Sequence, residues 1–176
     1  LVRRVAVIDW DVHHGNGTQQ AFYEDAEVLT ISLHHDNNYP IDSGSADERG
    51  SGAGFGYNLN VPLPAGSGIG TYLAAMDQLV IPALDRFQPE LIVVAWGFDA
   101  SAMDPLGCML LNADAFGQLT ARVMAAADRL CRGRLVMVHE GGYSEGYVPF
   151  CGHRVIETLS RSDIHVPDPA GGDIAR

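Results

Sequence analysis

The chain is poor in cysteine, poor in basic residues and without a long apolar run. Its 176 residues include 3 cysteines, Cys108, Cys131 and Cys151, at spacings that fit neither a disulfide framework nor a paired-cysteine zinc site. They read as buried or half-buried free thiols, the expectation for a reducing, cytoplasmic compartment. Basic residues number 11 against 22 acidic ones, a formal net charge of -11. That balance excludes a broad nucleic-acid footprint, which needs clustered Lys and Arg. It is compatible with cationic substrates. No apolar stretch approaches the ~18 residues of a membrane span, and no signal peptide is recognisable. Leu1-Val2-Arg3-Arg4 runs straight into a core strand, so the sequence reads as a fragment. Hydrophobic residues at 47% and charged residues at 19% are ordinary for a globular domain of this length.

What is present alternates between strand and helix. Apolar runs at Val5–Ile8, Val28–Leu33, Tyr57–Leu63, Leu91–Ala95 and Leu135–Val138 predict strands. Gly17–Asp25 predicts a short helix and Ala113–Leu130 a long one. Ile69–Phe87 has helical periodicity that Pro82 kinks or divides, and Tyr147–Leu159 reads as helical after Pro149. A polar, Gly-rich loop spans His34–Phe55. The pattern is that of an α/β fold with a mostly parallel sheet and helices on both faces. In such folds chemistry collects beyond the carboxyl ends of the strands.

The strand ends carry chemically capable residues. The first is Asp9-Trp10-Asp11-Val12-His13-His14-Gly15-Asn16-Gly17. Side chains two apart on a strand point the same way, so Asp9, Asp11 and His13 share a face. Adjacent carboxylates repel unless a cation or donors compensate them, and a metal corner explains the set better than a hydrogen-bonded strand end. Ser32-Leu33-His34-His35-Asp36 ends the second strand and Trp96-Gly97-Phe98-Asp99 the central one. Asp99 is the natural third metal ligand, or else a turn or helix-capping aspartate. The last strand ends at His139-Glu140-Gly141-Gly142-Tyr143, where Gly141 and Gly142 allow close approach of a substrate. Tyr143 is either an exposed loop aromatic or a phenol donor over a metal cleft.

Taken together in this order, these motifs resemble the zinc-dependent histone deacetylase family. They are Asp9-x-Asp11-x-His13-His14-Gly-Asn16-Gly-Thr, Ser32-Leu33-His34, Gly97-Phe98-Asp99 with Asp104-Pro105-Leu106-Gly107, and Glu140-Gly141-Gly142-Tyr143. The wording of the first is similar to the class II and bacterial deacetylase-like branch. The resemblance runs from about Val5 to Leu159 and implies a three-layer arginase/deacetylase-like fold, incomplete at its N-terminus. Residues 1–166 then form the C-terminal part of the catalytic domain and 167–176 a disordered tail.

The resemblance implies a zinc ion held by Asp11, His13 and Asp99, with iron(II) or cobalt as other occupants of oxygen-rich donors. It implies Tyr143 as the catalytic phenol that stabilises a developing oxyanion. Monovalent cations, K+ above all, would be held by Asp9, Asp11, His13, Ser32 and Leu33, and by backbone carbonyls of Phe22, Asp25, Val28 and Tyr57. Tyr39 and Leu106 fall where the cleft is lined, and leucine there favours acetyl-lysine over acetylated polyamines. The family's general base is a histidine pair lying before the first strand, which this sequence does not contain. Asp9 and Asn16 orient that pair in relatives. The chain is therefore expected to be feeble or inactive alone, since such a base contributes ~10²–10⁴-fold. Missing strands should also expose apolar surface. An arginase-type ureohydrolase with two metals, and a non-catalytic metal- or acyl-lysine-binding remnant, remain as alternatives.

Overall fold

A computed structural model describes residues 2–171. Val5–Asp9 (β1), Val28–His35 (β2), Asn58–Leu63 (β3), Leu91–Trp96 (β4) and Leu135–His139 (β5) form one parallel sheet in the order β3-β2-β1-β4-β5. The helices are Asn16–Phe22 (α1), Ile69–Ala75 (α2), Ile81–Phe87 (α3), Ala113–Cys131 (α4) and Val148–Ser160 (α5). The β1–β2 step runs one way along the sheet, and the β3–β4 and β4–β5 steps run the other. Right-handed crossovers therefore set α1 on one face and α2, α3 and α4 on the opposite one.

The two faces differ in cover. Ala6, Ile8, Ile92 and Val94 are fully buried, in one core with Phe116, Leu119 and Val123 of α4. On the other face α1 contributes no buried residue. Val136 and Val138 are 49% and 46% exposed there, in register with Val93 and Ala95. This is the apolar surface that the sequence reading anticipates.

Local departures have local causes. The Ile69–Phe87 helix is divided by a π-type turn at Met76–Val80, and Pro82 stands in the first turn of α3, where no N–H is needed. Asn112 caps α4 by accepting the Ala115 N–H at 2.9 Å. Part of the stretch expected as a tail, residues 167–171, lies against the start of α4. Asp168 accepts the Ala113 N–H and the Tyr147 hydroxyl, each at 2.9 Å, and Ala170 is buried. The carboxylate thus satisfies a donor at the start of α4. Residues 172–176 of the expected tail lie outside the described residues.

Candidate metal centre

β1 ends at Asp9, and residues 10–15 turn across the carboxyl ends of the strands. Oδ1 of Asp11 accepts the His13 backbone N–H at 2.8 Å and lies 2.9 Å from Nδ1 of the same residue. Asp99, reached from β4 through Gly97 and Phe98, is fully buried. Its Oδ1 accepts the Val12 N–H at 2.8 Å. Its Oδ2 has no hydrogen-bond donor and sits 3.2 Å from His13 Nδ1. Asp11, His13 and Asp99 each present one ligand atom, all within 4.8 Å of one another.

Backbone without side chains makes this crowding possible. A Cβ on Gly97 would come 2.5 Å from Oδ2 of Asp11 and 2.6 Å from Oδ1 of Asp99. One on Gly141 would come 2.5 Å from the same Asp11 oxygen, which accepts the Gly141 N–H, and closer still to Oδ2 of Asp99.

The electrostatics fit a cation. Burial works against the charge on Asp11, but hydrogen bonds from His13 and Gly141 outweigh it and hold the carboxyl below its ordinary range. Burial, then the charge of Asp11, pushes Asp99 up. The hydrogen bond to Asp11 first, and then the Asp99 carboxylate 3.2 Å away, raise the His13 imidazole to about 10. Two carboxylates facing one imidazole favour a positive charge between them, which a proton or a metal ion can supply.

Two clefts meet at His13. The larger, about 470 Å³, is lined by Asp11, His13, Tyr39, Leu106, Gly142 and Tyr143. The rings of Tyr39 and Tyr143 stand 5.9 and 6.3 Å from the His13 ring. Burial and then the nearby aspartates raise the Tyr143 phenol above its ordinary pKa. Asp104 supports this rim, accepting the Leu106 N–H at 2.8 Å and the Tyr143 N–H at 2.7 Å. The smaller cleft, about 270 Å³, runs past Asp9 and Ala95 toward the open sheet face.

The remaining sequence candidates fall around this centre. Asp9 is buried and accepts the Asp11 N–H at 3.0 Å, and it lines the smaller cleft rather than joining the ligand set. Asn16 is exposed at the start of α1. Ser32 pairs with Asp9 in register, and its Oγ accepts the Gly15 N–H at 3.2 Å. Leu33 is buried in the core. Of the second set, the Phe22 carbonyl already accepts the Asp25 N–H and that of Tyr57 the Thr30 N–H. Val28 opens β2.

Two features escaped the sequence reading. Glu140 lines both clefts, though it sits in the strand-end motif already singled out. Behind the site lies a buried polar cluster. Oε1 of Gln19 accepts from His14 at 3.0 Å, Asn58 at 2.9 Å and Asn60 at 2.8 Å, while Gln19 donates to Glu48. No motif announces contacts among residues so far apart.

Comparison with known proteins agrees with these motifs. A model of the histone deacetylase domain matches residues 1–159. A histone deacetylase-like amidohydrolase of Pseudomonas aeruginosa is 57% identical over 168 residues, covering 96% of this chain and 44% of the relative. Histone deacetylase 8 of Arabidopsis thaliana is 44% identical over 172 residues, covering 94% and 45%. The crystal structure of an acetylpolyamine aminohydrolase from Burkholderia pseudomallei superposes with a TM-score of 0.84 at 37% identity, covering 90% and 45%. The chain spans less than half the length of these proteins. The strand-end motifs, the parallel sheet and these matches make the chain a member of the histone deacetylase domain family.

Proposed function

We propose that the chain carries the metal-binding and tyrosine part of a zinc-dependent amidohydrolase site that removes acetyl groups from lysine side chains. The observation that carries this reading is the convergence of Asp11, His13 and Asp99, one ligand atom from each within 4.8 Å of the others, with the buried Oδ2 of Asp99 outside any well-formed hydrogen bond. Such an oxygen is costly to bury. A divalent ion held by Asp11, His13 and Asp99 would relieve it and the repulsion between the carboxylates. Three protein ligands leave room for water and substrate. Zinc held there supplies Lewis acidity and a water of lowered pKa, and the oxygen-rich donor set also suits iron(II).

This chain's residues then have separable tasks. Tyr143 keeps its proton at neutral pH and donates to the amide oxygen as negative charge develops. Tyr39 and Leu106 border a slot suited to an apolar acyl-lysine stem, and an acid in place of Leu106 would suit a polyamine. Asp9 and Asn16 stand ready to orient a base beside the smaller cleft. A K+ ion near Asp9 and Ser32, and a second at the carbonyls of Phe22, Asp25, Val28 and Tyr57, would offset local negative charge. Among the described residues no histidine besides His13 lines either cleft. Residues 1–176 alone are therefore expected to turn over at least ~10²-fold more slowly than a protein supplying that base.

A ureohydrolase reading needs two metals. Among the described residues one ligand cluster is found, and both oxygens of Asp104 are occupied by backbone N–H groups. The deciding assay compares an acetyl-lysine peptide with an acetylated polyamine on zinc-loaded protein that includes whatever native residues precede Leu1. Preference for the peptide, with a loss of ~10²–10³-fold in Tyr143→Phe, supports the reading. Preference for the polyamine, urea-forming activity or an unaffected Tyr143→Phe contradicts it.

A further inference from the structure

A separate cleft of about 360 Å³ opens at the other end of the sheet, where Arg4 precedes β1 and Tyr57 precedes β3. The metal centre lies beyond the opposite, carboxyl ends of the same strands. Five residues of β1 span roughly 16 Å between the two. Leu29 at the base of the cleft is buried. Tyr57 and Phe87 form an edge-to-face pair with ring centroids 5.8 Å apart. Phe55 is 64% exposed, and the Arg49 guanidinium lies 5.7 Å from its ring centre. Arg4 and Arg86 line the same cleft.

Two basic side chains line this cleft in a molecule of acidic balance. The chain carries 22 acidic residues against 11 basic ones. Five other arginines are paired with carboxylates: Arg3 with Glu27, Arg122 with Asp77, Arg129 with Asp85, Arg154 with Asp114 and Arg161 with Asp128. Among the described residues neither Arg4 nor Arg86 has a carboxylate within 4.0 Å. Arg4 spends only its Nε, on the Gln88 carbonyl at 2.9 Å. Of the nearby acids, Asp85 pairs with Arg129, while Glu90 accepts the Arg3 backbone N–H at 2.6 Å and lies within electrostatic reach of Arg4 without forming an ion pair with it. Both guanidinium groups line one aromatic-walled cleft and neither forms an ion pair there, which leaves their donors available to an anion. Their planar donor forks match carboxylate and phosphate oxygens. The volume is that of a small-molecule site, and the aromatic walls suit a flat apolar body.

We propose that this cleft binds a small organic anion with a flat apolar body, its carboxylate or phosphate head held by Arg4 and Arg86 and its ring against Phe55, Tyr57 and Phe87. The inference is independent of the metal chemistry. The test is amide-resolved NMR titration of the 176-residue chain with 2-naphthoate, 2-naphthyl phosphate and the neutral 2-naphthalenemethanol. One of the two anions should shift the amides of Leu29, Tyr57, Arg86 and Phe87 with a Kd of about 1 mM or tighter. The alcohol should bind at least about tenfold more weakly, and the tighter anion identifies the head group. Arg86 is exposed on the last turn of α3, so Arg86→Ala leaves the fold in place, as the unshifted remainder of the spectrum would verify. That variant should lose anion affinity about tenfold, with Arg86→Lys between the two. Added zinc should leave the titration unchanged. No shift at the cleft with either anion, equal binding of the alcohol, or undiminished binding to Arg86→Ala would overturn the proposal.

Discussion

The Gly141 backbone N–H donates to Oδ2 of Asp11 at 2.8 Å, joining residues 130 positions apart. The bond fixes the orientation of one proposed ligand from the far edge of the sheet. Gly141 has no Cβ; one there would lie 2.5 Å from that Asp11 oxygen and closer still to Oδ2 of Asp99, pressing on both proposed ligands. Gly141→Ala is expected to weaken zinc binding about ten- to hundredfold, the range for partners that orient metal ligands. Competition against a chromophoric chelator measures this, with circular dichroism as the control for folding. Native affinity in a folded Gly141→Ala protein would show that the close approach of Gly141 to Asp11 and Asp99 does not hold the ligands in place.

His34 makes stability depend on pH. It is 1% exposed, with Nδ1 2.9 Å from Ser32 Oγ and Nε2 3.0 Å from the Gly44 carbonyl. Burial first, then the neighbouring His14, lowers its pKa to about 4, against weaker opposing effects of Gly44, Ser32 and Asp36. The unfolded imidazole titrates near ~6.5. As pH falls below that value the unfolded chain takes up the proton first, so the contribution present above ~6.5 drains away toward about 4. The full loss is about 3 kcal/mol. Urea midpoints at about pH 7 and pH 4.5 should fall further in the native protein than in His34→Gln, which isolates this group from the raised Asp9. Equal falls would contradict the assignment.

The three thiols should separate cleanly by reactivity. Cys108 is exposed, whereas Cys131 and Cys151 are buried. Burial, and then Asp168, pushes the Cys151 thiol up to about 12. Ellman's reagent should titrate one thiol rapidly in the native chain and all 3 after denaturation. Two or more fast native thiols would mean that the α4–α5 packing is not as described.

The open sheet face should make the isolated chain self-associate. Val136 and Val138 lie on it at 49% and 46% exposure. Changing both to threonine keeps the β-branched shape and lowers apolarity. Sedimentation velocity should show less oligomer in the double variant, and an unchanged distribution would locate the contact elsewhere.

Much of this arrangement is legible in the sequence because parallel strands buried on both faces read as unbroken apolar runs. Val5–Ile8 and Leu91–Ala95 are such runs, each followed by its polar residues at the strand end, although among the described residues only their alternate positions (Ala6, Ile8, Ile92, Val94) are fully buried. Pro62 does not break β3, since β3 is an edge strand among those described. The π-type turn at Met76–Val80 leaves no periodic signature distinct from a helix. The same holds for Gln19, which gathers His14, Asn58 and Asn60 only after the chain has folded. The docking of Asp168 on Ala113 was hidden within a stretch whose Pro, Gly and Asp content imitates a frayed end.

Crystals soaked in zinc and measured on both sides of the zinc absorption edge test the central claim most directly. A single anomalous peak bonded to Asp11, His13 and Asp99, and lost in Asp99→Asn, is the expected result. A protein with its sheet intact and no peak among those side chains, or with a pair of bridged peaks, would contradict it.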